Sequence, residues 1–103
     1  MYKLIYFVPT EAKESTKQAL FSLGAGKFNN YESCSFETLG TGQFKPINKA
    51  NPHIGSLNTL EIVEEYKVEM ICTDELIKQA LQILKESHPY EEVAYEVYKL
   101  EEF

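Results

Sequence analysis

The sequence predicts an α+β sandwich of the ferredoxin-like kind, one antiparallel sheet with both helices on one face. Three observations carry that prediction. Apolar residues sit at strand spacing in four stretches and at helical spacing in two others, in the order β α β β α β of a split βαβ pair. The chain has 103 residues, room for a single domain spanning 1–103. Its composition, 44% hydrophobic and 25% charged, is that of a globular chain able to bury a core without covalent staples.

The first strand is Tyr-Lys-Leu-Ile-Tyr-Phe-Val at 2–8, a β-branched and aromatic run that stops at Pro9. Thr10 can cap a following helix with Glu11 and Glu14 in its first turn, at the positive end of the dipole. Ala12, Thr16, Ala19, Leu20 and Leu23 form its inner stripe, and Gly24 and Gly26 end it. Residues 31–39 alternate loosely and predict a second strand with Cys34 and Phe36 on one side. Gly40, Gly42, Pro46, Asn48, Asn51, Pro52, Gly55 and Asn58 then predict a long loop over 40–59, which Phe44, Ile47, Ile54 and Leu57 would order by packing inward. From Leu60 to Cys72 the even positions are apolar except for Glu64, which predicts a third strand. Thr73 or Asp74 can cap a second helix carrying Leu76, Ile77, Ala80, Leu81 and Leu84, ended near Ser87 because Pro89 keeps His88 out of helical geometry. Residues 93–100 make the fourth strand, followed by the acidic tail Glu101-Glu102-Phe103.

Charge narrows the choice of partner. Ten basic against sixteen acidic residues give a net charge of −6, and every basic residue is lysine. Without arginine, the side chain best suited to bidentate phosphate and base-edge recognition, a nucleic-acid partner is not expected. Cys34 and Cys72 show no CxxC or zinc-site spacing and read as free thiols of a cytoplasmic protein. No apolar run approaches the roughly 18 residues of a membrane span, and the short apolar stretch Leu4 to Val8 is not a secretory segment, so neither membrane nor export is expected.

Three stretches add something that composition does not. They are Gly24-Ala-Gly26 with Asn30 to Phe36, Gly40-Thr-Gly42-Gln-Phe44-Lys-Pro46 through Asn51-Pro52-His53-Ile54-Gly55, and the string His88-Pro-Tyr-Glu-Glu-Val-Ala-Tyr95. Together they resemble the small domain inserted into many bacterial members of the NGG-interacting-factor-three family, a domain similar in fold to CutA and the P-II signalling proteins. The resemblance implies a CutA/P-II-like fold and, because P-II-like families form trimers, a homotrimer. It implies a stand-alone version of that domain, since the parent family's paired-metal cluster lies in a flanking domain and maps onto no residue here. The chain departs from the family pattern twice: Asn58 stands where glycine is favoured, and Lys27-Phe28-Asn29 replaces a commoner glycine-containing turn.

Candidate chemistry concentrates in turns. His53 and His88 are the only histidines, each beside a proline, and with Glu64 and Glu91 they could assemble a His/carboxylate site for a divalent metal ion. The opposing reading has His88 anchoring the corner between helix and strand by hydrogen bonds. Glu64, a carboxylate on an apolar strand face, must be paired, hydrogen-bonded or left wet at an edge. Gly40, Gly42 and Gly55, with Phe44, Pro46, Asn51 and Pro52, form a ligand-binding candidate: a backbone cradle for an anion, or a rigid loop that packs on a neighbouring subunit. Tyr66, Tyr90, Tyr95 and Tyr98 read as core and interface aromatics. Neither cysteine neighbours a histidine and no GxSxG occurs, so no nucleophile with a base beside it can be named, and the sequence assigns no catalytic residue. The reading is a non-enzymatic, oligomeric binding or regulatory module, with a divalent-metal-binding protein and a hydrolase-related accessory protein as the alternatives.

Overall fold

The aromatic and β-branched start of the chain forms the first strand, β1 (Tyr2–Pro9), and its alternate side chains Leu4, Tyr6 and Val8 are fully buried. In the computed structural model, which describes residues 1–103, a short 3₁₀ turn at Thr10–Ala12 leads into α1 (Lys13–Leu23). Then follow β2 (Phe36–Phe44), β3 (Glu61–Cys72), α2 (Ile77–Ser87) and β4 (Tyr95–Lys99), the expected β α β β α β order. The sheet is antiparallel throughout, in the order β2-β3-β1-β4.

Register decides which residues meet. Tyr2, Leu4, Tyr6 and Val8 stand opposite Cys72, Met70, Val68 and Tyr66, and these even positions turn one face of the sheet toward both helices. Leu20 of α1 and Ile77, Ala80 and Leu84 of α2 close the core against it. Inside, the Tyr6 and Thr16 hydroxyls lie 3.1 Å apart, and Thr16 also donates to the Ala12 carbonyl at 3.0 Å. Burial pushes the Tyr6 phenol up to about 12. Gly24 ends α1 at φ 115°, and the loop after it is tied down where the Gly26 N–H donates to the Ile71 carbonyl at 2.8 Å. Beside it, the Leu100 N–H donates to the Met1 carbonyl at 3.0 Å, so the two ends of the fold leave side by side.

Several expectations need correction. Residues 31–35 are not strand: Ser33 takes φ 57° and Tyr31 turns back onto Phe28 in an isolated bridge, so β2 begins at Phe36. Residues 40–44 are not loop. Gly40 and Gly42 are extended and pair with Glu65 and Val63, because β3 offers a continuous edge that outweighs glycine's weak strand preference. Of the loop's apolar residues, Phe44 and Ile54 are half-buried while Ile47 and Leu57 are exposed, since no second layer covers the loop there. Neither helix has the cap expected for it. No Thr10 side chain caps α1, and Asp74 is engaged by the Met1 amino group and by Lys99 at 2.7 Å. Asn58, where the resemblance favours glycine, adopts φ 62°, a left-handed conformation that asparagine tolerates better than most residues.

β1 ends at Pro9, opposite Glu65, whereas the β2–β3 ladder continues to Phe44 and Glu61. The hairpin therefore projects as an arm past the helices and stretches the molecule to 46 × 25 × 24 Å. Glu64 sits on this arm, exposed and accepting the Thr10 hydroxyl at 3.1 Å, which explains a carboxylate in an otherwise apolar stripe: the helices have ended before the stripe reaches it.

Candidate functional site

Pro89 forces His88 out of α2 into extended geometry (φ −85°, ψ 139°), while its N–H still donates to the Leu84 carbonyl at 3.0 Å. That turn drives the imidazole inward, leaving it 6% exposed. Nε2–H donates to the Phe7 carbonyl at 2.7 Å, and Nδ1 accepts the Tyr90 backbone N–H at 3.1 Å. Both ring nitrogens are thus spent on backbone, which fixes the neutral tautomer. Desolvation lowers its proton affinity, an effect that the Phe7 bond and the Glu65 charge oppose and the nearby His53 reinforces.

His88 positions Tyr90. The two rings meet edge-on with centroids 4.9 Å apart, and the Tyr90 hydroxyl reaches across to donate to Glu65 Oε2 at 2.8 Å. Burial, then the Glu65 carboxylate, then the Glu11 charge raise the Tyr90 phenol well above its ordinary value. Gly42 makes room for this pair: a Cβ there would stand 1.9 Å from Glu65 Oε1. Phe44 and His53 flank Tyr90 with ring centroids 6.1 and 6.4 Å away, both tilted. The loop is stitched to the corner where Glu91 accepts the Asn51 N–H at 3.1 Å, and it closes on itself through Asn58 N–H to the Pro46 carbonyl at 2.6 Å.

These elements enclose an open cleft of about 870 Å³ between the arm, the loop and the corner after α2. Of the candidates named from sequence, Gly42, Phe44, Pro46, Pro52, His53 and Glu91 line it. Gly40 lies outside on the arm, Gly55 folds over Glu61 at φ 93°, and Asn51 acts from the rim through Glu91. His88 lies beneath the cleft, behind Tyr90, and Glu64 faces Thr10 on the other side of the sheet. No group of three or more His, Cys, Asp or Glu side chains gathers at a spacing that could hold a metal ion, and His88 has no lone pair left to offer one. Gly42, read from the sequence as part of an anion cradle, leaves room for the Glu65 carboxylate at the floor of the cleft.

Sequence reasoning missed Glu65 and read Tyr90 only as a core or interface aromatic. The signal was weak but present: two glycines one residue apart on a strand leave a trough that a cross-strand side chain can fill. Which side chain fills it depends on register, and register is not written in one strand alone.

No family profile matches the chain. It is 44% identical over 100 residues to a "GTP cyclohydrolase 1 type 2 homolog" of Halalkalibacterium halodurans, covering 97% of this chain and 27% of that protein. A crystal structure of a Bacillus cereus protein related to NIF3 superposes on 98% of this chain with a TM-score of 0.82 and 38% identity, over 26% of its own length. CutA1 from Pyrococcus horikoshii superposes on all of the chain with a TM-score of 0.72 at 14% identity, over 86% of its length, and so shares the fold. The chain spans about a quarter of the length of the curated relatives it matches.

Proposed function

Because this chain's close homologues are NIF3-related proteins, matched over one CutA-like segment of them, we propose that it is a non-catalytic, self-associating module that binds a small molecule in the cleft beside Tyr90. One observation carries the reading. The glycine- and proline-rich loop and the His88–Tyr95 string, some forty positions apart, converge on a single cleft and are joined there by the Asn51–Glu91 bond. A loop that only connected two strands would have no need of that tie. The cleft is lined by aromatic, proline and aliphatic side chains with a few charged groups among them, the make-up of a recognition site. As part of a larger hydrolase-related protein such as those homologues, the module would serve as an accessory that senses or presents a ligand. Self-association rests on the helix-free sheet face and on the resemblance to trimeric P-II-like families. Amide NMR shift mapping with a panel of small cationic, neutral and anionic compounds tests the reading. Concerted shifts at 42–54 and 88–94 are expected from at least one class. Shifts scattered over the surface, or none at the cleft from any class, would overturn it.

A further inference from the structure

We infer that the cleft recognises a small organic cation, an alkylammonium or guanidinium group, held over the rings of Phe44, Tyr90 and His53 with its N–H or N–CH₃ edge against Glu65. The inference rests on the cleft being a binding site and adds what it selects.

Four observations lead to the charge of the ligand. Glu65 is half-buried in the cleft, and its one side-chain partner is a neutral hydroxyl, that of Tyr90. Every ion pair in the molecule is made by Glu14, Glu37, Glu69 or Asp74, so no cation of this chain stands at ion-pair distance from Glu65. A carboxylate keeps about four acceptor sites, of which the Tyr90 hydroxyl fills one, leaving room for a donor from outside. At the rim Glu91 and Glu92 are balanced by the exposed Lys45 and Lys49, which leaves Glu65 as the uncompensated charge of the cleft.

The walls point the same way. The rings of Phe44 and His53 stand 6.1 and 6.4 Å from that of Tyr90, so three aromatic side chains line the cleft that Glu65 enters, and a cation there can meet both an aromatic ring and a carboxylate. Phe7, Pro46 and Ala94 supply apolar surface that reduces competition from water, which an alkylated cation tolerates and a strongly hydrated inorganic ion does not. The rigid parts are already set. His88 fixes the Tyr90 backbone, Glu65 fixes its hydroxyl and Gly42 leaves the space that Glu65 occupies, so little ordering remains for binding to bring about.

The probes are tetramethylammonium and methylguanidinium, each set against a neutral isostere, tert-butanol and N-methylurea, with methyl phosphate as the anion. Binding to the full chain is read from amide and aromatic NMR shifts of Phe44, His53 and Tyr90. Each cation should bind at least tenfold more tightly than its isostere. Glu65→Gln should weaken the cation at least tenfold and leave the isostere unchanged, and Gly42→Ala, which displaces the Glu65 carboxylate, should do the same. Isostere or phosphate binding as tight as the cation's, or cation binding indifferent to Glu65→Gln, would overturn the inference while leaving the cleft a binding site. No shift at the cleft from any of the five probes would remove the inference, and silence across the wider panel would remove the binding-site reading with it. Should Glu65→Gln fail to fold, the ratio of cation to isostere on the unmodified chain decides alone.

Discussion

His88 is buried with its ring neutral, and that state leaves a mark on stability. Desolvation holds its folded pKa below the ordinary value of 6.5, at which the unfolded chain would take up a proton. Between 6.5 and that lower value the unfolded state binds more protons than the folded one. Stability is therefore complete above the window and declines as pH falls through it. A protonated Nδ1 would also set an N–H against the Tyr90 N–H that it now accepts. Urea unfolding midpoints should drop from pH 7 to pH 5. In His88→Gln, whose amide can donate to the Phe7 carbonyl without titrating, that drop should flatten while the fold is kept. An unchanged slope in the variant would show that other groups set it. The Pro89 rule places this residue at the corner from sequence alone, and the structure gives it the anchoring role. The sequence does not reveal that the acceptor is Phe7, because that contact spans 81 positions.

Among the elements, the arm and its loop set the cleft apart from the core, and substitutions should separate the two. Leu84 is fully buried between α2 and the sheet, so Leu84→Ala should cost about 2–5 kcal/mol. Phe44 is half-buried at the cleft wall, so Phe44→Ala should fall below the roughly 3–5 kcal/mol of a fully buried phenylalanine, though above the ~0.5 kcal/mol of a bare surface site. Chemical denaturation of both variants checks the order, and equal losses would mean that the arm packs as tightly as the core. Four strands and two helices were legible because Leu4–Tyr6–Val8 and Ile77–Ala80–Leu84 carry the periods of buried faces. The end of the loop was not. Gly40 and Gly42 read as turn formers, and only the presence of β3 alongside, a tertiary fact, makes them strand. Glu64 was anomalous on paper for the same reason, since the stripe in the sequence outruns the helices that give it a purpose.

At the scale of the whole molecule, the sheet carries helices on one side only. Phe7, Val63 and Ile71 are half-buried on the other, Ile5 is already buried among its neighbours, and Phe36 is 68% exposed. The edge hairpin also exposes apolar side chains on its helix side, Leu39 at 54% and Ile62 at 64%. Isolated apolar residues are ordinary on a surface, but a projecting hairpin with exposed apolar residues on both sides suits a partner subunit. Sedimentation at micromolar concentration should show an oligomer, and Phe36→Glu should shift it toward monomer; a stable monomer of the unmodified chain would refute association. The side-by-side ends of β1 and β4 have a consequence of another kind, in the entropy of any longer chain that holds this unit. Folded, the unit joins its flanks like one short turn, whereas unfolded it is a slack loop of 103 residues. By the logarithmic law of loop closure the difference is about 2–3 kcal/mol in favour of the surrounding fold. Each fold would then draw part of its stability from the other, and loosening the Leu100–Met1 junction would be felt by a host that touches none of the residues of the cleft.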